Sequence, residues 1–188
     1  MIDGAFLALG AFFAFYPVCF LAWKVYLYTR TYVVPPRHVM LVENDGVLRT
    51  LPSGRHVLAW NDRVRKCYLT WSSREWSANI DGDSFPLNEI MVKMSSFRVF
   101  KGDKLWYAFV DFTFTIDETH PEIFALKDAC GRPLQILLDR IEKTVCAASA
   151  ASSGCESALK PGSSALRALE TEFGVHIPYF HVEYHSPK

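Results

Sequence analysis

Three residues near the C-terminus have types and spacing that could do chemistry. His181, Glu183 and His185 alternate with Phe180, Val182 and Tyr184. In a strand this puts two imidazoles and a carboxylate on one face, a donor set that suits zinc. The same alternation marks a strand with one buried face and one turned to solvent or a partner. A second possibility is Cys130, in Asp128-Ala129-Cys130-Gly131-Arg132. A neighbouring guanidinium and a helix starting after it would lower the thiol pKa and favour the nucleophilic thiolate. A thiol hydrolase also needs a histidine close in space, and no spacing rule ties His120 to Cys130. The chain has no Walker loop, GxGxxG, HExxH, deaminase signature or nucleophile elbow. The sequence therefore assigns no catalytic residue and no cofactor. His181, Glu183 and His185 are the metal-ligand candidates.

Charge and cysteine usage narrow the classes further. Lys+Arg and Asp+Glu are 20 each, so no basic surplus is available to hold a nucleic-acid backbone. Cys19, Cys67, Cys130, Cys146 and Cys155 form no CxxC and no even framework, which points to reduced thiols rather than a disulfide scaffold.

The element that would position the domain is N-terminal. Ala5 to Trp23 carries no charge, and with Lys24 snorkelling the apolar stretch extends to Tyr28. A helix needs about 20 such residues to cross a bilayer. The reading expects a single transmembrane anchor over residues 1–30, with Phe6, Leu9, Phe13, Phe20, Trp23, Lys24 and Tyr28 meeting lipid and headgroups. Trp23, Tyr26, Tyr28 and Tyr32 would form an interfacial belt, and Pro17 would be tolerated as a kink. The n-region Met-Ile-Asp-Gly lacks the basic residues of a cleaved signal peptide. Lys24, Arg30 and Arg37 follow the span and Asp3 precedes it, which puts the C-terminal domain on the positive-inside face.

Residues 31–188 read as one α+β domain. Tyr32-Val-Val-Pro-Pro36 is a stiff extended linker. His38–Glu43 and Val47–Leu51 flank Asn44-Asp45-Gly46, which suits a hairpin turn. Strands are expected at His56–Trp60, Arg63–Trp71, Trp76–Ile80 and around Ile90, Val92 and Met94. The clearest alternation is Trp106–Ile116, after the polar turn Lys101–Lys104. The period then changes: Leu134, Leu137, Leu138, Ile141 and Val145 share a helical face. A small-residue stretch, Ala147–Gly154, leads to a second helix marked by Leu166, Leu169 and Phe173. Gly174 stands at its C-cap. Val175–Tyr184 is a closing strand whose Pro178 places it near an edge. The order is a meander, a helix pair and a last strand.

That order, with several short motifs, resembles the SPFH/band 7 (stomatin/prohibitin-like) family. The stretch VVPPRHVMLVENDGVLRTLPSGRHVLAW looks like the family's opening, with Pro52-Ser53-Gly54 where an adjacent Pro-Gly is usual. Met91–Phe114 resembles the central strand pair. Thr115-Ile116-Asp117 resembles the passage into the helix, and Phe173-Gly174-Val175-His176-Ile177 the segment before the last strand. The resemblance covers roughly residues 24–185. It implies an antiparallel or mixed β domain with a helix pair. The family's long coiled coil has no counterpart before Lys188, which argues against a homo-oligomeric ring.

The functional expectation is a non-catalytic, single-pass accessory subunit of a larger membrane protein complex. Its partners would be other subunits and the lipid bilayer, and nucleic acid is not expected. The resemblance to the prohibitin branch implies the mitochondrial inner membrane, in a respiratory-chain or ATP-synthase assembly. Trp71, Trp76, Trp106 and Tyr107, aromatics beyond what the core needs, are the expected interaction surface. The first alternative is a self-associating stomatin/prohibitin-like scaffold. The second is a membrane-tethered enzyme using Cys130 or the terminal histidines.

Overall fold

A computed structural model describes residues 3–72, 77–128, 132–151 and 159–186; for residues 3–14, 72, 77 and 78 it describes the backbone alone. The chain opens with helix α1 (Asp3–Arg30) and passes without a linker into β1 (Thr31–Val34). Tyr32–Val34 of the expected linker is thus paired strand, and only its Pro35-Pro36 lies between strands: β1 runs antiparallel to β4 (Gly54–Val57), with Val34 opposite Gly54.

Next, β2 (His38–Asn44) and β3 (Val47–Leu51) form the expected hairpin, with Asn44 opposite Val47. Asp45 and Gly46 both have positive φ, 49° and 79°, the mirror-image turn whose twist matches paired strands. The other edge of β2 pairs with β5 (Arg63–Arg65) and, near its start, with β8 (Phe85–Pro86). The single strand expected over Arg63–Trp71 is divided at Lys66. Its second part, β6 (Cys67–Ser72), leaves that sheet to pair with β7 (Ser77–Gly82). The strand expected from His56 ends at Val57, because the chain turns there around the buried Asp62.

The main sheet is built on β11 (Lys104–Ile116). One of its edges carries β9 (Ile90–Lys93) and β10 (Phe97–Lys101), and the other carries β12 (Val175–His185). Ala108, Val110, Phe112, Phe114 and Ile116 are all buried on one face of β11. Each side chain as large as Phe112 or Phe114 contributes about 1.5–3 kcal/mol by leaving water. Helix α3 (Pro133–Ala150) covers this face with Leu134, Leu137, Ile141 and Val145, all fully buried. Helix α4 (Ser164–Phe173) adds Leu166, Leu169 and Phe173.

Ser163 caps α4, accepting from the Leu166 N–H at 3.4 Å. Gly174 ends it with φ +61°, and a Cβ there would lie 2.8 Å from Ile123 Cβ. Only glycine fits both the left-handed backbone and that approach. The short helix α2 (Pro121–Ala125), not anticipated from sequence, supplies Ile123 and the buried Phe124.

The result is a sheet-rich α+β fold. The transmembrane part of the expectation is corrected. Among the described residues no helix is long and apolar enough to cross a membrane. The described side chains of α1 begin at Phe15, and from there to Arg30 they include Pro17, Lys24, Thr29 and Arg30. Its last turns are bonded to the β domain instead of continuing an apolar run. The single-pass anchor and the integral-membrane location, mitochondrial inner membrane included, fall with that finding.

Candidate docking site

Helix α1 is latched to the domain by its last two turns. The Tyr26 hydroxyl donates to the Leu58 carbonyl at 2.9 Å, and the Leu58 N–H donates to the Arg30 carbonyl at 2.9 Å. The Arg30 guanidinium donates to the carbonyls of Ala59, Trp60 (3.2 Å) and Asp62 (2.9 Å). These acceptors lie on one loop, Leu58–Asp62, which the side chain of Asp62 folds.

The Asp62 carboxylate has a side-chain exposure of 0%. It accepts from the Ala59 N–H at 2.8 Å, from Asn44 Nδ2 at 2.8 Å and from the Arg49 guanidinium. Burial pushes its pKa up; the Ala59 N–H, the Asn44 amide and Arg49 together outweigh that and leave it below the ordinary carboxylate value. The loop is therefore fixed by an ionised group, and the helix end is fixed by the loop.

Beyond the latch, α1 has no partner among the described residues. Every residue from Phe15 to Val25 is exposed. Phe15 is 70% exposed, Leu21 66% and Tyr28 87%. The aromatic rings continue onto the domain: Trp23 stacks on Tyr26 (centroids 5.7 Å apart) and Tyr26 on Trp60 (6.3 Å). Trp60 is itself 78% exposed. Lys24 sits 5.4 Å over the Phe20 ring. A helix apolar on all sides is one whose sides are meant to be covered, and a contiguous exposed apolar surface marks an interaction site.

The other expected sites fare differently. Phe20, Trp23, Lys24 and Tyr28 lie on this exposed stretch, whereas the side chains of Phe6, Leu9 and Phe13 are outside the described residues. Trp71 is buried in the main core, so it is not presented to a partner. Trp106 is partly buried against the same core, under Lys101. Tyr107 stands on the open face of the main sheet, opposite Arg98 and His185. Trp76 and Cys130 lie outside the described residues.

His181, Glu183 and His185 do share the open face of β12. Both imidazoles turn to the carboxylate: His181 Nε2 is 3.3 Å from one Glu183 oxygen and His185 Nε2 is 3.5 Å from the other. The hydrogen bonds from His181 and His185 hold the Glu183 carboxyl below its ordinary pKa. Among the described residues no group of three or more His, Cys, Asp or Glu is arranged to hold a metal ion. In this arrangement the carboxylate takes up the histidine nitrogens as a hydrogen-bond acceptor.

A polar cleft of about 670 Å³ lies between the outer face of the β6–β7 hairpin and the start of α3, lined among others by Tyr68, Asn79, Asp81, Arg132 and Gln135. Among the described residues that line it there is no thiol, no imidazole and no second carboxylate beside Asp81. Cys67, on the opposite face of β6, is buried, and burial together with Asp81 pushes its thiol up to about 12. It is held protonated and inert.

Sequence reasoning missed Asp62 and the latch. An Asn-Asp pair next to an exposed tryptophan reads as an ordinary polar turn, and Arg30 reads as a basic flank. The available signal was the directness of the helix-to-strand passage at Arg30–Thr31. No protein-family model matches the chain, and no curated protein matches its sequence.

Proposed function

We propose that this chain is a non-catalytic docking subunit of a larger protein assembly. Its β domain, read as SPFH-like, acts as a rigid base, and α1 is the element that partner subunits cover. The observation that carries this reading is the contrast along α1: exposed, mostly apolar side chains from Phe15 to Val25, with Lys24 the one charge among them, then a fixed attachment at Tyr26 and Arg30. A helix held this firmly at one end projects an apolar surface in a set direction, which suits recognition between folded proteins.

The SPFH-like reading supports an accessory role in place of chemistry, and its support is the element order of meander, helix pair and closing strand. Site and not fold decides activity, and among the described residues lining the polar cleft there is no thiol or imidazole.

The reading is tested by extracting the C-terminally tagged chain from its source under mild conditions and measuring native mass and subunit stoichiometry. The expected result is a stable heteromeric complex with partners in fixed ratio. A stable monomer that needs no partner would contradict it, as would recovery only on protein-free lipid vesicles.

A further inference from the structure

The open edge of the main sheet carries information that the α1 reading does not use. β12 pairs with β11 along one side, and among the described residues no strand pairs with its other side. Unpaired edges are templates for further strands, and proteins blunt them with proline, bulges or lysine. Here those devices sit at one end only. The register slips between Thr113 and Thr115, where Tyr179 and His176 are their partners, so Ile177-Pro178 bulges opposite Phe114. From Tyr179 to His185 the register is regular, and that stretch contains no proline, glycine or lysine.

We propose that Tyr179–His185 is a self-association edge, on which two copies of the chain pair their β12 strands antiparallel about a two-fold axis through Val182. In this register His181 stands opposite Glu183 of the second copy, and Glu183 opposite its His181. Tyr179 faces His185. On the core side Val182 meets Val182, and Phe180 meets Tyr184. Both faces are self-complementary, as a two-fold interface requires, and each pairing is of a kind that stabilises neighbouring strands.

Shifting the axis by one residue disrupts this. An axis through Glu183 sets the two carboxylates against each other, and one through His181 does the same with imidazoles. An axis between residues puts the polar face of one copy beside the core face of the other. The paired sheets would be continuous, with α3 and α4 of both copies on one side. This inference is independent of the partners of α1, so either can fail without the other.

The test is the mass of the full chain in mild detergent, by sedimentation over a concentration series. The wild type is expected to form a dimer. His181→Glu sets like charges opposite each other twice and should weaken it about tenfold or more. The swap His181→Glu with Glu183→His restores a carboxylate–imidazole pair at both positions and should recover the dimer. Because these side chains are exposed, an unchanged circular-dichroism melt is the fold control.

As a second readout, Val182→Cys treated with an added oxidant (dissolved oxygen with a copper catalyst, which takes up the two electrons and two protons) should form a disulfide joining position 182 of both copies, identified by peptide mass spectrometry. Directly opposed antiparallel residues are about 4.5–5.5 Å apart at Cα, within disulfide reach. A concentration-independent monomer would overturn the proposal. So would a dimer indifferent to His181→Glu, loss that the swap does not restore, or absence of the 182–182 link.

Discussion

Replacing Asp62 by alanine tests the latch at its base. The carboxylate is fully buried and receives three donors: the Ala59 N–H and Asn44 Nδ2, each at 2.8 Å, and the Arg49 guanidinium. A hydrogen bond to a charged group is worth about 1.5–3 kcal/mol. Arg49 is half exposed, so water replaces much of what it loses. The Ala59 N–H and the Asn44 amide are partly buried and would be left without an acceptor. The expected loss is about 3 kcal/mol in Asp62→Ala, and about half that in Asp62→Asn, whose amide oxygen can still accept from Ala59.

The pH dependence follows from the direction of the shift. The folded carboxyl lies below its unfolded value of 3.8, so its stabilisation is fully present above that value. It is lost as pH falls through the folded pKa. Urea unfolding followed by far-UV circular dichroism at pH 7 and at pH 3 and below measures both. The gap between wild type and Asp62→Ala should be full at pH 7 and should close on the acid side. A loss below about 1 kcal/mol at pH 7, or a gap that does not change with pH, would refute the reasoning.

Three further outcomes follow from the same geometry. Gly174→Ala combines a left-handed φ with a 2.8 Å approach to Ile123 Cβ and should cost about 2–4 kcal/mol in thermal or urea unfolding, with Ile123→Ala recovering part of it. Tyr26→Phe removes the 2.9 Å bond to Leu58; it should cost about 1 kcal/mol and raise amide hydrogen exchange in residues 58–62. Cys67 should resist alkylation in the native protein at pH 8 while the exposed Cys19 reacts. Its thiol pKa is raised from 9.0 to about 12, so the stability it contributes is whole below 9.0 and is lost as pH climbs toward 12.

Much of the fold was legible because its signals are local. The alternation of Trp106–Ile116 shows which face of β11 is buried, and the shift to a 3.6-residue period over Leu134–Val145 marks α3. Gly174 at the helix end and Asn44-Asp45-Gly46 in the hairpin are backbone requirements that residue type reveals directly. What was not legible depends on partners distant in sequence. The break at Lys66 arises because Val64 pairs with Val42 while Leu69 pairs with Ile80, and no property of Arg63–Trp71 by itself says so. Trp71 looked like a surface aromatic because burial of one face of a hairpin depends on the helix that covers it.

The apolar segment posed a different difficulty. Ala5 to Trp23 is uncharged, and its length and flanking aromatics suit a lipid-facing span as well as they suit a helix end fixed to a domain. Tyr26, Arg30 and Asp62 make the helix end part of the domain, through bonds across about thirty positions of sequence. Likewise, the His181-Glu183-His185 spacing was legible, but whether the imidazoles would converge on a metal or turn to the carboxylate between them was not.

The most direct test of the docking account is to place charge on α1 where it is exposed and away from the latch. Val18→Glu with Leu21→Glu should abolish co-migration of the tagged chain with its partner subunits on a native gel, while the melting profile of the isolated chain stays unchanged. Co-migration that survives both carboxylates, with partners in the same ratio, would contradict the claim that partners cover this helix.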